Sequence, residues 1–215
     1  MTLDETLEGI GLGLEGILVL VLVGRRFYRT LPAFSSYIVW SLFADLASTL
    51  IAHNQPALFL RVYPIQLTLD VLFRCVVLAD VCRVLALQNR ASLPRPATAL
   101  FLFSLAALLL WRFSHWGVAP ELSVYGVFLV RLQQASSVWM LAAVLALIWW
   151  SSLYHLNWPK GALRIATGLG FNALVALTVA LIHTRQSVGP NYHLLDVAAA
   201  GSYLGVLAYW VVAFS

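Results

Sequence analysis

Seven apolar runs, each about 20 residues long, take up most of the sequence. A helix rises about 1.5 Å per residue, so a run of this length can cross the roughly 30 Å hydrocarbon core of a bilayer. The runs cover approximately residues 7–23, 33–52, 65–87, 97–113, 123–150, 162–183 and 194–214. The sequence therefore predicts an all-α polytopic membrane protein: a bundle of seven transmembrane helices forming a single domain over residues 1–215.

The low content of charged residues agrees with a membrane protein. Charged residues make up 10% of the chain and hydrophobic residues 61%, whereas a soluble domain carries about 25% charged residues. The formal net charge of +4 is spread thinly along the chain, which argues against nucleic-acid binding. The acidic start, MTLDETLEGIGLGLEG, lacks the basic region of a signal peptide, so the first run is predicted to be retained as a span.

Arginine and lysine are distributed unequally between alternate loops. The loops after the first, third and fifth runs, with the helix start that follows, hold Arg25, Arg26, Arg29, Arg90, Arg95, Lys160 and Arg164. The other loops, with one helix end, hold Arg61, Arg112 and Arg185. Loops rich in these residues stay on the cytoplasmic side. The pattern predicts a multi-pass protein of a bacterial inner (plasma) membrane, with the N-terminus outside and the C-terminus inside.

The third run contains a charged stretch, DVLFRCVVLADVCRVL, from Asp70 to Leu85. Each ionised side chain at the bilayer centre costs roughly 2.5–3.5 kcal/mol, so these charges must be paired, hydrated or functional. Asp70 and Arg74 are four residues apart, and Asp80 and Arg83 are three apart, so each acid can reach its own arginine along one helix. We predict that Asp80 and Arg83 form a structural ion pair near the inner end.

The middle and outer part of the predicted bundle holds more acids than arginines. The charged residues at this level are Glu15, Asp45, Asp70, Asp196, Arg74 and Arg131. If every acid faces the bundle, two acids lack an arginine, and each of those would carry a proton or hold a cation. Polar residues of the fifth and sixth runs lie at the same level. The predicted ligand- or ion-binding set is Asp70, Arg74, Arg131, Gln134, Asp45, Glu15 and Asn172.

These patterns favour a non-enzymatic protein that binds a small ligand, a proton or a cation in the outer half of the bundle, as a sensor or transporter does. A structural accessory subunit of a larger membrane complex is the alternative, with other membrane subunits as its partners. Glu15 would then lie near the headgroups, Asp196 would be hydrated, and the remaining charges would be paired. No catalytic residue is predicted, because the chain lacks G-x-S-x-G, H-E-x-x-H and a phosphate-binding glycine loop.

No cofactor and no metal site are predicted. A retinal Schiff base needs a lysine in the last span, whereas the single lysine, Lys160, falls in a loop. A haem held by two histidines needs both of them deep in the membrane. All the histidines fall at predicted membrane boundaries: His53, His115, His155, His183 and His193. His53 and His193 would be the first pair to test for a metal.

The positions of prolines and glycines predict where helices start, whether they are kinked and which of them can move. All eight prolines, from Pro32 to Pro190, are predicted to lie in loops or at helix starts, so no span should be kinked. The stretch HNQPALFLRVYP, residues 53–64, is predicted to be the loop before the third span. The sixth span, with Gly168 and Gly170, is the one expected to move.

The start of the second run, RTLPAFSSY from Arg29 to Tyr37, resembles the pattern R-x-x-P-x-F-x-x-Y of small uncharacterised bacterial seven-helix membrane proteins. The resemblance covers about nine residues and implies no activity. Asp80-Val-Cys-Arg83 is similar in topology alone to the acid–arginine pair of rhodopsin-like receptors. The order D-x-x-R differs from the adjacent pair of those receptors, and their proline-kinked last helices are not indicated here.

Overall fold

The protein is described by a computed structural model, which covers residues 3–89, 124–153, 155–183 and 190–215. These residues form α1 (Leu3–Gly24), α2 (Pro32–Asn54), α3 (Pro56–Asn89), α4 (Val124–Leu153), α5 (Lys160–His183) and α6 (Pro190–Phe214). A short 3-10 helix (Phe27–Arg29) precedes α2. Within the described ranges there is no β-strand, so the prediction of an all-α chain is confirmed.

Five of the described helices contain a segment that is long and apolar enough to cross a membrane. These segments are Thr6–Gly24, Pro32–Asn54, Arg131–Ser152, Lys160–Val179 and Val197–Phe214. They lie in α1, α2, α4, α5 and α6, and they indicate a multi-pass membrane protein. Helix α3, which carries the charged stretch, is not among them, and the predicted span at 97–113 lies outside the described residues. The count of seven spans and their orientation stay predictions.

Helix α3 begins earlier than the sequence predicted. The expected loop at 53–64 is largely helical, because α2 continues to Asn54 and α3 starts at Pro56. Proline is favoured at the first position of a helix, where its missing N–H breaks no bond, and the residues after it, ALFLRVY, are mostly helix formers. Pro64 then lies inside α3, so the prediction that every proline falls in a loop or at a helix start is wrong.

One compact unit comprises Met1–Val81 and Leu204–Ser215. At one end of this unit, aromatic rings join the loop after α1 and the start of α2 to the end of α6. The ring of Phe27 lies 4.9 Å from that of Phe214, and the ring of Phe34 lies 5.0 Å from that of Trp210 in an edge-to-face arrangement. Edge-to-face pairs are a favoured geometry for aromatic side chains. These contacts fix the loop and α2 against α6.

Helices α2 and α3 of the same unit run antiparallel, since residues later in α2 meet residues earlier in α3. Trp40 stacks on Phe73 with ring centroids 5.5 Å apart. Nearer the start of α2, the Ala33 amide donates a hydrogen bond to Asp80 Oδ2 at 3.2 Å. The first amides of a helix have no partner within it, and a carboxylate there also complements the helix dipole. Asp80 therefore anchors the N-terminus of α2 to α3.

The second compact unit comprises Cys82–Tyr203, and α4 and α5 pack against each other within it. Small residues occupy many of the buried positions of both helices: Ala143, Ala146, Ala162, Ala166 and Ala173. Small side chains allow two helices to approach closely in a membrane. In the connection between the two helices, the Trp158 indole donates to the Ser151 hydroxyl at 2.7 Å.

Replacing Gly170 by alanine is expected to lower the free energy of unfolding by about 1 kcal/mol, because overpacking outweighs the gain in helix propensity. A Cβ atom added at Gly170 lies 3.0 Å from Val144 Cγ1. A valine in a helix has one strongly preferred rotamer and cannot turn aside. Thermal unfolding in a fixed detergent measures the change.

Gly205→Ala in α6 is the matched control for this substitution. A Cβ atom at Gly205 has no heavy atom within 4 Å, so this variant should be as stable as the wild type or slightly more so. If Gly170→Ala is equally stable, the close contact between α4 and α5 is wrong.

Candidate functional site

Polar side chains of three helices meet inside the first unit. We call this group the polar cluster; its members are Glu15 of α1, Tyr37, Ser41, Asp45 and Ser48 of α2, and Gln66, Asp70 and Arg74 of α3. On α2 and α3 they recur at intervals of three or four residues. This spacing places them on one face of each helix.

The centre of the polar cluster is a pair of carboxyl groups. Glu15 is 0% exposed, and its Oε1 accepts a hydrogen bond from the Ser41 hydroxyl at 2.7 Å. The carboxyl group of Asp45 is close enough to that of Glu15 for the two to interact electrostatically. An ionised carboxylate can only accept, so two carboxyl groups can bond to each other only when one of them carries a proton. The pair therefore suits a shared proton or a cation in its place.

Gln66 connects the carboxyl pair to α3. Its Nε2 donates a hydrogen bond to Asp45 Oδ1 at 3.2 Å, and its Oε1 accepts one from the Ser48 hydroxyl. The amide thus uses its donor and its acceptor on two residues that lie one turn apart on α2. Gln66 fixes the position of the Asp45 side chain within the cluster.

An ion pair on α3 forms the other half of the polar cluster. Arg74 Nη2 lies 2.8 Å from Asp70 Oδ2, and the two side chains are 23% and 22% exposed. The pairing expected from their spacing is therefore present. The buried Tyr37 interacts with both groups, and both act electrostatically on Asp45. The ion pair and the carboxyl pair consequently belong to one network.

Three members of the predicted binding set belong to the second unit, and the other four to the first. Arg131 is exposed, Asn172 is partly exposed and Gln134 is buried. Within the described part of the chain, Gln134 Nε2 has no hydrogen-bond partner. The side chain of Asp196 lies outside the described residues. The structure thus brings together Glu15, Asp45, Asp70 and Arg74.

The predicted pair Asp80 and Arg83 is divided between the two units. Asp80 is buried and bonded to the start of α2, and Arg83 is exposed. The predicted ion pair between Asp80 and Arg83 stays a prediction.

Four members of the polar cluster are absent from the predicted binding set: Tyr37, Ser41, Ser48 and Gln66. A signal for them was available, because Tyr37, Ser41 and Asp45 are spaced by four residues, as are Gln66, Asp70 and Arg74. Two such rows on adjacent helices face each other when the helices form a hairpin.

The histidines and the acidic residues bear on the prediction that the chain has no metal site. Over the described ranges, no group of three or more His, Cys, Asp and Glu side chains is placed to hold a metal ion. His53 and His155 are exposed, and the side chains of the remaining histidines lie outside the described residues. Comparison with protein-family models, with curated proteins and with solved structures finds no match for this chain.

Proposed function

We propose that this protein is a non-enzymatic membrane protein that binds a proton, a cation or a small amine-bearing ligand in the polar cluster, as a sensor or transporter does. The electrostatic interaction between Glu15 and Asp45, which are also bonded to Ser41 and Gln66 of the polar cluster, carries the proposal. Both lie on helices that are otherwise apolar enough to cross a membrane. A positive ligand between them would remove the repulsion that two carboxylates at this distance would exert.

The charge balance of the polar cluster supports a positive ligand. As defined, the cluster contains three acids and one arginine, and Arg74 lies against Asp70. Glu15 accepts a hydrogen bond from Ser41, and Asp45 accepts one from Gln66, both of which are neutral. Carboxylate, hydroxyl and amide oxygens are the ligands that hard cations prefer. An ionisable group inside a membrane protein is a functional candidate by default.

The site belongs to a proposed seven-helix bundle in a bacterial inner membrane. Helix α3 and residues 97–113 would add two spans to the five apolar helices, with the N-terminus outside. In this arrangement Gln66 and Asp70 would lie towards the outer end of α3, and Asp80 towards its inner end. The ligand would enter from the outer side.

A structural accessory subunit is the second candidate. Exposed apolar side chains on α1 and α6, among them Leu20 and Val212, favour it, since such faces can contact another membrane chain as well as lipid. The polar cluster would then stabilise the fold, and the partners would be other membrane subunits.

Replacing Glu15 by glutamine, or Asp45 by asparagine, is expected to abolish proton exchange with sodium ions. We would add sodium chloride to purified protein and follow proton release with an indicator dye, together with the carboxylic-acid band in the infrared spectrum. The wild type should release protons as the band weakens, because sodium replaces the shared proton. Each variant retains a neutral hydrogen-bonding group of similar size, so the fold is preserved.

Glu8→Gln is the control, because Glu8 is an exposed carboxyl group on the same helix. It should release protons as the wild type does. If the Glu15 and Asp45 variants also behave as the wild type, the carboxyl pair is not the binding site. If they lose copurifying membrane proteins instead, the accessory-subunit function is favoured.

A further inference from the structure

Three arginines occupy the short loop that joins α1 to α2. Arg25, Arg26 and Arg29 are all exposed. No acidic residue occurs in the sequence between Glu15 and Asp45. Arginine stays protonated at any ordinary pH, so the loop carries a concentrated positive charge.

The position of this loop places the charge at the membrane surface. The apolar segment of α1 ends at Gly24, and that of α2 begins at Pro32. In a membrane crossed by both helices, residues 25–31 would lie where the helices leave the apolar layer, at the level of the lipid phosphates. Tyr28 is exposed in the same loop, and tyrosine is enriched at this boundary because its ring is apolar and its hydroxyl is polar.

The loop is held in one conformation by its own packing. Leu31 is buried, and the ring of Phe27 packs on that of Phe214. The backbone is closed by a hydrogen bond from the Arg29 amide to the Arg26 carbonyl at 3.1 Å. The Arg25 guanidinium donates to the carbonyl oxygen of Ser215. A ligand at this loop would consequently find the backbone that carries the arginines already ordered.

Arg26 has an unusual backbone conformation. Its φ is 56° and its ψ is 29°, in the left-handed region that costs an L-residue energy and that glycine adopts freely. An arginine at a position that favours glycine points to a role for its side chain. The left-handed turn also places Arg26 directly before the 3-10 helix that carries Arg29.

We infer that this loop binds the phosphate headgroup of an anionic phospholipid, chiefly through Arg26 and Arg29. A guanidinium group offers paired N–H donors that match two phosphate oxygens. The flanking apolar helices would accommodate the acyl chains. The buried Asp80 beneath the start of α2 is already bonded to an amide and leaves the loop surface basic. This lipid site is independent of the polar cluster and of the function proposed for it.

The test is lipid retention by the full-length protein, purified in a mild detergent and measured by native mass spectrometry. Phosphatidylglycerol and phosphatidylcholine with identical acyl chains are offered together, and the wild type should retain phosphatidylglycerol preferentially. An arginine near an anionic surface contributes about a fivefold gain in affinity, so the double variant Arg26→Gln/Arg29→Gln should lose about 25-fold. Arg26→Lys/Arg29→Lys should lose less, because it keeps the charge and lacks the paired donors.

The matched control is Arg61→Gln/Lys160→Gln, which removes two positive charges from exposed positions elsewhere. It should retain phosphatidylglycerol as the wild type does. Equal loss in this control would mean that net charge alone attracts the lipid, and would overturn the inference. Absence of lipid preference in the wild type, or equal competition by inorganic phosphate at the same concentration, would overturn it as well. If the double glutamine variant does not fold, Arg29→Gln alone must still lose about fivefold.

Discussion

Arg74→Met is expected to lower the free energy of unfolding by about 2–4 kcal/mol, one of the two largest effects foreseen for this chain. The substitution leaves the Asp70 carboxylate without the guanidinium that lies 2.8 Å away. It also removes a hydrogen-bonding group from the buried Tyr37. A charge that loses its partner in a poorly hydrated site keeps its full desolvation cost. The 22% exposure of Asp70 keeps the expected loss below that of a fully buried pair.

The double variant Asp70→Asn/Arg74→Met separates the lost ion pair from lost packing. It should be more stable than Arg74→Met alone, because no charge is then left behind. Arg61→Met, at an exposed position of the same helix, should change stability by less than about 0.5 kcal/mol. Unfolding of all four proteins is followed in the same detergent. If the double variant is no more stable than Arg74→Met, the ion pair does not stabilise the fold.

Trp210→Ala is expected to destabilise the protein by about 3 kcal/mol, through the cavity that it leaves. Trp210 is 2% exposed, and its ring meets that of Phe34 edge to face. Lipid is as apolar as the protein interior, so the loss comes mainly from van der Waals contacts and the ring–ring interaction.

Tyr209→Ala provides the comparison for Trp210→Ala. Tyr209 is adjacent in sequence and 40% exposed, so its truncation should cost less than about 1 kcal/mol. Thermal unfolding of both variants in one detergent gives the difference. Equal stability of the two variants would contradict the packing of α6 against the start of α2.

Helix positions followed from hydrophobicity for the second and sixth runs. The second run was predicted at 33–52 and forms Pro32–Asn54, and the sixth was predicted at 162–183 and forms Lys160–His183. The start of α3 was missed because HNQPALFLRVYP mixes polar residues and two prolines with helix formers. Local composition there indicated a loop, whereas proline at the first helical position is compatible with a helix.

The polar cluster was predictable only in part, for a physical reason. Charged residues stand out in an apolar run because of their cost in a membrane, so Glu15, Asp45, Asp70 and Arg74 were found. Tyr37, Ser41 and Gln66 are common in helices, and they gain significance only when α2 and α3 lie side by side. Arg131 was placed in the binding set because polar residues recur near it at the helical period. The period does not tell which face of the helix is buried, and the side chain of Arg131 is exposed.

The single residue between α2 and α3 has a consequence for how the chain enters the membrane. With Gln55 alone outside the helices, a membrane-spanning α3 would be inserted together with α2 as a hairpin. A helix carrying as many charges as α3 is a poor substrate for insertion by itself. As the second arm of a hairpin, it would reach the bilayer with Asp70 and Arg74 already beside Tyr37. Biogenesis of α3 would then depend on α2, and a longer connection at Gln55 should impair insertion more than it impairs the finished fold.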